Sequence, residues 1–141
     1  MKTSARNVFH GIVSGISENG ILSSVSLETS NKLVVTAIIT NTSRKNLNLE
    51  RGTPAVALVK APWVSIAPSS GRAAISPGNS FQGEVETIRR DELACEIQVR
   101  LDQGGLICSL YANGACPEAE IETGSCVIAS FSPFSVILIE S

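Results

Sequence analysis

The sequence contains one histidine, His10, and its four cysteines, Cys95, Cys108, Cys116 and Cys126, form no C-x-x-C pair. Structural zinc sites take paired short spacings of cysteine and histidine, so no metal centre is expected. One histidine and scattered acids also assemble no nucleophile–base pair or carboxylate dyad, and an enzyme is not expected. Aromatic residues make up 4% of the chain and the formal net charge is −2. Nucleic-acid modules stack bases on aromatics beside a basic groove, so this chain alone is not expected to bind nucleic acid. There is no G-x-x-x-x-G-K-[ST] loop to hydrolyse a nucleotide. No apolar run approaches the roughly 18 residues that span a bilayer, and no apolar signal segment follows Met1 and Lys2. A soluble, cytoplasmic chain with no membrane partner is expected, its cysteines reading as buried, reduced thiols.

What is present is a folded chain of 141 residues, 43% hydrophobic and 17% charged, a balance that argues against disorder. Its main feature is a repeat. Ser4 falls on Ser76, an offset of 72 residues, and without a gap Asn7 falls on Asn79, Phe9 on Phe81, Gly11 on Gly83 and Val13 on Val85. The register holds to the far end, with Gly52 on Gly124, Ala57 on Ala129 and Val64 on Val136. Two copies of one fold follow, over residues 1–67 and 73–141, joined by a turn-rich linker at 68–72.

Within each copy the periodicity is that of strands. Alternating or β-branched residues occupy 9–13, 21–27, 33–40 and 55–59, and 64–66 supplies a short fifth strand. The second copy repeats them at 81–88, 93–101, 106–111, 126–131 and 136–139. Turn chemistry separates the strands at 17–20, 28–31 and 51–52. The polar stretch 41–48 is the one candidate for a short helix, with Leu47 and Leu49 placed to plug a barrel end. An all-β chain of two tandem five-stranded barrels of the oligonucleotide/oligosaccharide-binding type is predicted. A barrel of this size is marginal alone, so the lobes should pack together and the chain should form a homo-oligomer, to which the apolar tail 136–139 would contribute.

Two strand ends carry the polar chemistry. Thr3, Ser4, Ala5, Arg6 and Asn7 concentrate hydroxyls, a guanidinium, an amide and backbone N–H groups at the mouth of the first strand. Lys60, Ala61, Pro62, Trp63 and Val64 follow the strand at 55–59 with a lone ammonium. Brought together, they would make a small cationic pocket rich in donors, suited to an anion.

These stretches, with Thr36, Ala37, Ile38, Ile39 and Thr40 between them, resemble the molybdate-binding Mop (molbindin) family, also called the TOBE domain. The tandem arrangement is similar to free two-lobed molbindins and to the effector portion of the molybdate-responsive transcription regulator. The resemblance implies that molybdate or tungstate is held by hydrogen bonds at subunit interfaces, in a dimer or a trimer. It also implies ligands: the Ser4 hydroxyl, the backbone of Ala5 and Arg6, Asn7 in the same motif, the Thr40 hydroxyl, the Lys60 ammonium and the Ala61 N–H. The implied function is intracellular molybdenum storage, buffering or homeostasis; a sensing effector domain and a nucleic-acid-binding barrel are the alternatives. The second copy departs from the pattern, with Gly78 for Arg6, Ser132 for Lys60 and Ala112 for Thr40, although Ser76 and Asn79 remain. The first copy is therefore expected to carry the main site. Trp63 is expected to pack against the neighbouring lobe, His10 to be solvated or at an interface, and residues 89–92 to form a solvated hairpin tip.

Overall fold

The computed structural model describes residues 1–69, 78–117 and 120–141. Ten strands form two five-stranded antiparallel sheets. In the first half these are β1 (Asn7–Asn19), β2 (Leu22–Thr29), β3 (Val34–Thr40), β4 (Pro54–Val59) and β5 (Ser65–Pro68). In the second they are β6 (Asn79–Arg90), β7 (Ala94–Leu101), β8 (Leu106–Ala112), β9 (Cys126–Phe131) and β10 (Ile137–Glu140). The predicted short helix is α1 (Asn41–Asn46), capped by the Thr40 hydroxyl, which accepts from Ser43 N at 3.1 Å. Leu49 is buried and Leu47 packs against the core, so the barrel end is plugged as expected.

The first strand runs further than the turn chemistry at 17–20 suggests: β1 continues to Asn19, which pairs with Leu22 across a tight turn. An extra residue, Ser14, interrupts its pairing with β2 between Val13 and Gly15, and the second half repeats this between Val85 and Thr87. Such bulges bend a strand and increase its twist, so one strand can serve two neighbours. β1 thus pairs with β4 through its first half and with β2 through its second.

The fifth strands depart from the expectation of two self-contained copies. The sheet orders are β10-β4-β1-β2-β3 and β5-β9-β6-β7-β8, so each copy gives its last strand to the other. The tail at 136–139 therefore closes the first barrel, with Ile137 opposite Leu58 and Val136 and Leu138 buried, instead of lying exposed for a partner chain. Ile137 keeps 45% of its surface exposed. The physical reason is geometric. β5 and β10 follow short helical turns, Ala61–Trp63 and Pro133–Ser135, that carry the chain across to the other sheet. β8 closes its barrel against the segment around β5, through Ser109 Oγ donating to Val64 O at 2.5 Å and Ile66 N donating to the Tyr111 hydroxyl at 2.7 Å. One continuous core results, with Phe131 packed against both Phe9 and Phe81 at ring-centroid distances of 6.1 and 5.9 Å.

Gly11 and Gly83 fix how closely neighbouring strands approach. A Cβ on Gly11 would lie 2.5 Å from Glu28 O and 2.9 Å from Leu27 Cγ, and one on Gly83 would lie 2.5 Å from Arg100 O. Backbone carbonyls in a ladder cannot yield, so Gly11→Ala or Gly83→Ala should each cost about 2–3 kcal/mol in chemical denaturation, the usual penalty of overpacking.

The cysteines correct the expectation of four buried thiols. Cys108 is buried and free, Cys126 is exposed, and Cys95 and Cys116 are joined in a disulfide. Their Cα atoms are 6.1 Å apart, within bridging range. The 72-residue offset places them on Ser23 and Arg44, which touch in the first half through Arg44 Nε donating to Ser23 Oγ at 2.8 Å. The disulfide occupies the place of that hydrogen bond. Residues 89–92 lie where a hairpin tip was expected: Arg90 ends β6, and the exposed Asp91 accepts from the N–H groups of Leu93 and Ala94, which hold its carboxyl below the usual carboxylate range.

Candidate oxyanion site

The β1–β4 ladder begins with Asn7 opposite Val59. One step beyond it, Arg6 and Lys60 leave the two strand ends side by side, and this is the cationic juxtaposition the sequence suggests. Ser4 and Arg6 are exposed, as is Lys60, while Ala5 and Ala61 are buried beneath them. Ala61 opens a single helical turn, and the first N–H of such a turn has no acceptor within it. The Ala5 N–H, by contrast, has a local acceptor and donates to Thr3 Oγ1 at 3.1 Å.

Trp63 stands in the turn that lies against β8 of the other half. It is 44% exposed, and its ring lies under the Lys60 ammonium at 5.9 Å from the centroid. A cation–π contact at that distance is weak but directional. Arg6 donates through Nη1 to Glu96 Oε2 at 2.6 Å. That hydrogen bond is the main cause of the upward shift of the Arg6 pKa, which keeps the guanidinium charged. Beside it, burial pushes the Cys108 thiol above its ordinary range, so this neighbour stays neutral.

Asn7 is used differently. Its side chain is buried, donating through Nδ2 to Val59 O at 3.1 Å and to Cys108 O at 2.9 Å and accepting from Cys108 N at 2.7 Å through Oδ1. Asn79 does the same in reverse, donating to Thr36 O at 2.9 Å and accepting from Thr36 N at 2.7 Å. Position 108 is position 36 moved by the repeat offset. The two asparagines are a symmetric pair of rivets between the halves.

Thr40 stands elsewhere. It pairs with Leu22, itself opposite Asn19 at the far end of β1, so nearly the whole of a 13-residue strand separates it from Arg6 and Lys60. At about 3.3 Å per residue this is about 40 Å of strand path. The structure places Ser43 next to Thr40, hydroxyl to hydroxyl at 3.0 Å, and both are exposed. Ser43 is not among the residues read from the sequence, although its position three residues after a capping threonine is a readable signal. Glu96 also goes unread, because a lone acid on a strand has no periodic signature.

The second copy is spent at the matching positions. Gly78 adopts φ 144°, and a Cβ there would lie 2.7 Å from Pro133 Cδ, so an arginine cannot take the place of Arg6. The Ser132 hydroxyl accepts from Phe134 N at 3.1 Å and caps its own turn. Ser76 lies outside the described residues. His10 is exposed and lines a groove with Thr29, Ser30 and Gly104 between the halves. Among the described residues no helix is long and apolar enough to cross a membrane.

The TOBE domain family model matches residues 3–66. The crystal structure of the cytoplasmic molybdate-binding protein ModG with molybdate bound aligns over 100% of both chains, with TM-score 0.90 and 33% identity. The transcriptional regulator ModE of Yersinia pestis is 32% identical over 139 residues, covering 98% of this chain and 52% of the regulator. The molybdenum transport protein ModE of Herbaspirillum seropedicae is 27% identical over 138 residues, 98% of this chain and 51% of that protein. The chain thus spans about half the length of these ModE relatives. With two offset copies of one barrel, an S-A-R-N strand mouth and a full-length match to ModG, the chain belongs to the TOBE (Mop, or molbindin) family in its tandem form.

Proposed function

We propose that this chain binds molybdate, without covalent chemistry, at the cationic end of the β1–β4 pair. The observation that carries the reading is the side-by-side placement of Arg6 and Lys60 at an exposed, donor-rich strand end, in a chain that matches molybdate-bound ModG along its whole length. A tetrahedral dianion needs several charge-assisted hydrogen bonds to offset its desolvation. Ser4, the Arg6 and Lys60 side chains and the Ala61 N–H supply them from one strand end. Asn7 supports the site from below as a rivet, and Ala5 shapes it.

Thr40, with Ser43, belongs to the same site in a different way. Because both stand at the far end of β1, a site that uses them with Lys60 draws on two copies of the chain. A homo-oligomer, dimer or trimer, with oxyanion sites between subunits fits this division. The second copy, lacking both cations, serves as scaffold. On this reading the protein is a binder and not an enzyme, works in the cytoplasm, accepts tungstate as well as molybdate, and buffers or stores intracellular molybdenum. The coverage of this chain on the ModE relatives favours one alternative, the molybdate-sensing portion of a regulator.

Titration calorimetry with molybdate, with sulfate as the control and the oligomeric mass measured in the same buffer, tests the proposal. Sulfate-resistant binding at fewer than two full-strength sites per chain is the expected result. Absence of both heat and thermal stabilisation by molybdate would overturn it.

A further inference from the structure

Resting on the proposed oxyanion site, we infer that Glu96 is a resident counter-anion for Arg6, which limits the affinity of the site by competing with the oxyanion for the guanidinium. Arg6 belongs to the first half and Glu96, on β7, to the second; their 2.6 Å contact joins the halves, whereas the Lys32–Glu28, Arg44–Glu18 and Arg100–Glu86 pairs each stay within one.

As a structural tie the Arg6–Glu96 pair adds little. The Arg6 side chain is 50% exposed and that of Glu96 22%, and ion pairs open to solvent contribute little to stability. The halves are already held by exchanged strands and by the Asn7 and Asn79 rivets. At the site the same carboxylate matters more. It occupies one of the guanidinium's five N–H donors and places a negative charge within a few ångströms of where a dianion would lie, so the repulsion acts on a double charge.

Two further observations fit competition. By the repeat offset, Arg6 corresponds to Gly78 and Glu96 to Ser24, so the symmetry-related pairing across the halves lacks the arginine and the carboxylate together. And Glu96 has somewhere to go: Arg89 lies directly opposite it in the β6–β7 ladder, within reach of a cross-strand ion pair. An oxyanion that takes Arg6 does not leave the carboxylate without a cation nearby.

The test is molybdate titration of the full chain carrying Glu96→Gln, Arg6→Ala or both, at low and at high salt. Glu96→Gln should tighten binding about tenfold at low ionic strength, the scale expected when one nearby like charge is removed. The gain should shrink near 1 M salt, where the screening length falls to about 3 Å. In the Arg6→Ala background the same substitution should give a clearly smaller gain, because only the direct repulsion of the dianion is then relieved and there is no guanidinium to compete for. If Glu96→Gln weakens binding, Glu96 is a brace that orients Arg6, and competition is overturned. An unchanged affinity, or an equal gain without Arg6, would overturn it as well. Parent protein that takes up no molybdate would instead defeat the site itself, so the two failures are told apart by the parent titration. Thermal midpoints of the variants, with Glu96→Ala as a second replacement, separate loss of folding from loss of binding.

Discussion

Lys60→Ala is expected to weaken molybdate binding by about 2–3 kcal/mol, roughly 30- to 150-fold in Kd, the worth of one charge-assisted hydrogen bond to a dianion. The fold should not notice. Lys60 is exposed, makes no ion pair among those described, and lies against the face of Trp63, and surface substitutions of that kind stay within about 0.5 kcal/mol. Calorimetry and thermal unfolding on the same sample should therefore separate: binding largely lost, midpoint kept. Lys60→Arg should recover part of the affinity, because the charge is restored while the point-like ammonium is not. Trp63→Ala should cost much less, about 0.5–1 kcal/mol, since it removes only the cation–π contact that orients the ammonium. A Lys60→Ala protein that binds as tightly as the parent would place the site elsewhere.

The second large effect lies in the rivets. Asn7→Ala removes three hydrogen bonds from a residue only 3% exposed and leaves the N–H and C=O of Cys108 without the partners Asn7 gives them. Each buried polar group stranded in this way costs about 1–3 kcal/mol, so a total loss of about 3–5 kcal/mol is expected, or roughly 10–17 °C in Tm for a domain of this size. Asn79→Ala should behave alike, because Asn79 makes the symmetric bonds to Thr36. Equilibrium urea unfolding measures both. A loss below about 1 kcal/mol at either position would mean that water replaces the amide there and that the halves are held by the exchanged strands alone.

These two residues also show what the sequence could and could not tell. Asn7 and Lys60 lie in neighbouring polar motifs, and both read as donors for an anion. Composition cannot say where a donor points: Lys60 leaves its strand end for solvent, while Asn7, the first residue of β1, faces the opposite half. The strands themselves were legible because apolar side chains alternate along them and because the second copy repeats the pattern in register. The exchange of β5 and β10 was not, since four-residue strands such as Ser65–Pro68 and Ile137–Glu140 carry the same alternation whichever barrel receives them. The Cys95–Cys116 pairing had no spacing signature either. It becomes readable only when the copies are laid over each other and Ser23 and Arg44 are known to touch. Glu96 belongs to the same class, a partner created by the packing of one half on the other.

The exchanged strands also set an order of events at the ribosome. β4 is complete once Val59 has been made, yet its outer neighbour, beginning at Ile137, emerges only after the other strands of the second half. Until then the first barrel is an open sheet whose β4 edge offers unpaired N–H and C=O groups and whose core lacks Val136 and Leu138. Such an edge can recruit the wrong strand, including the β10 of a neighbouring nascent copy. Neither half can finish without a strand of the other, so the two complete their sheets together, through contacts between residues nearly eighty positions apart, such as Leu58 and Ile137.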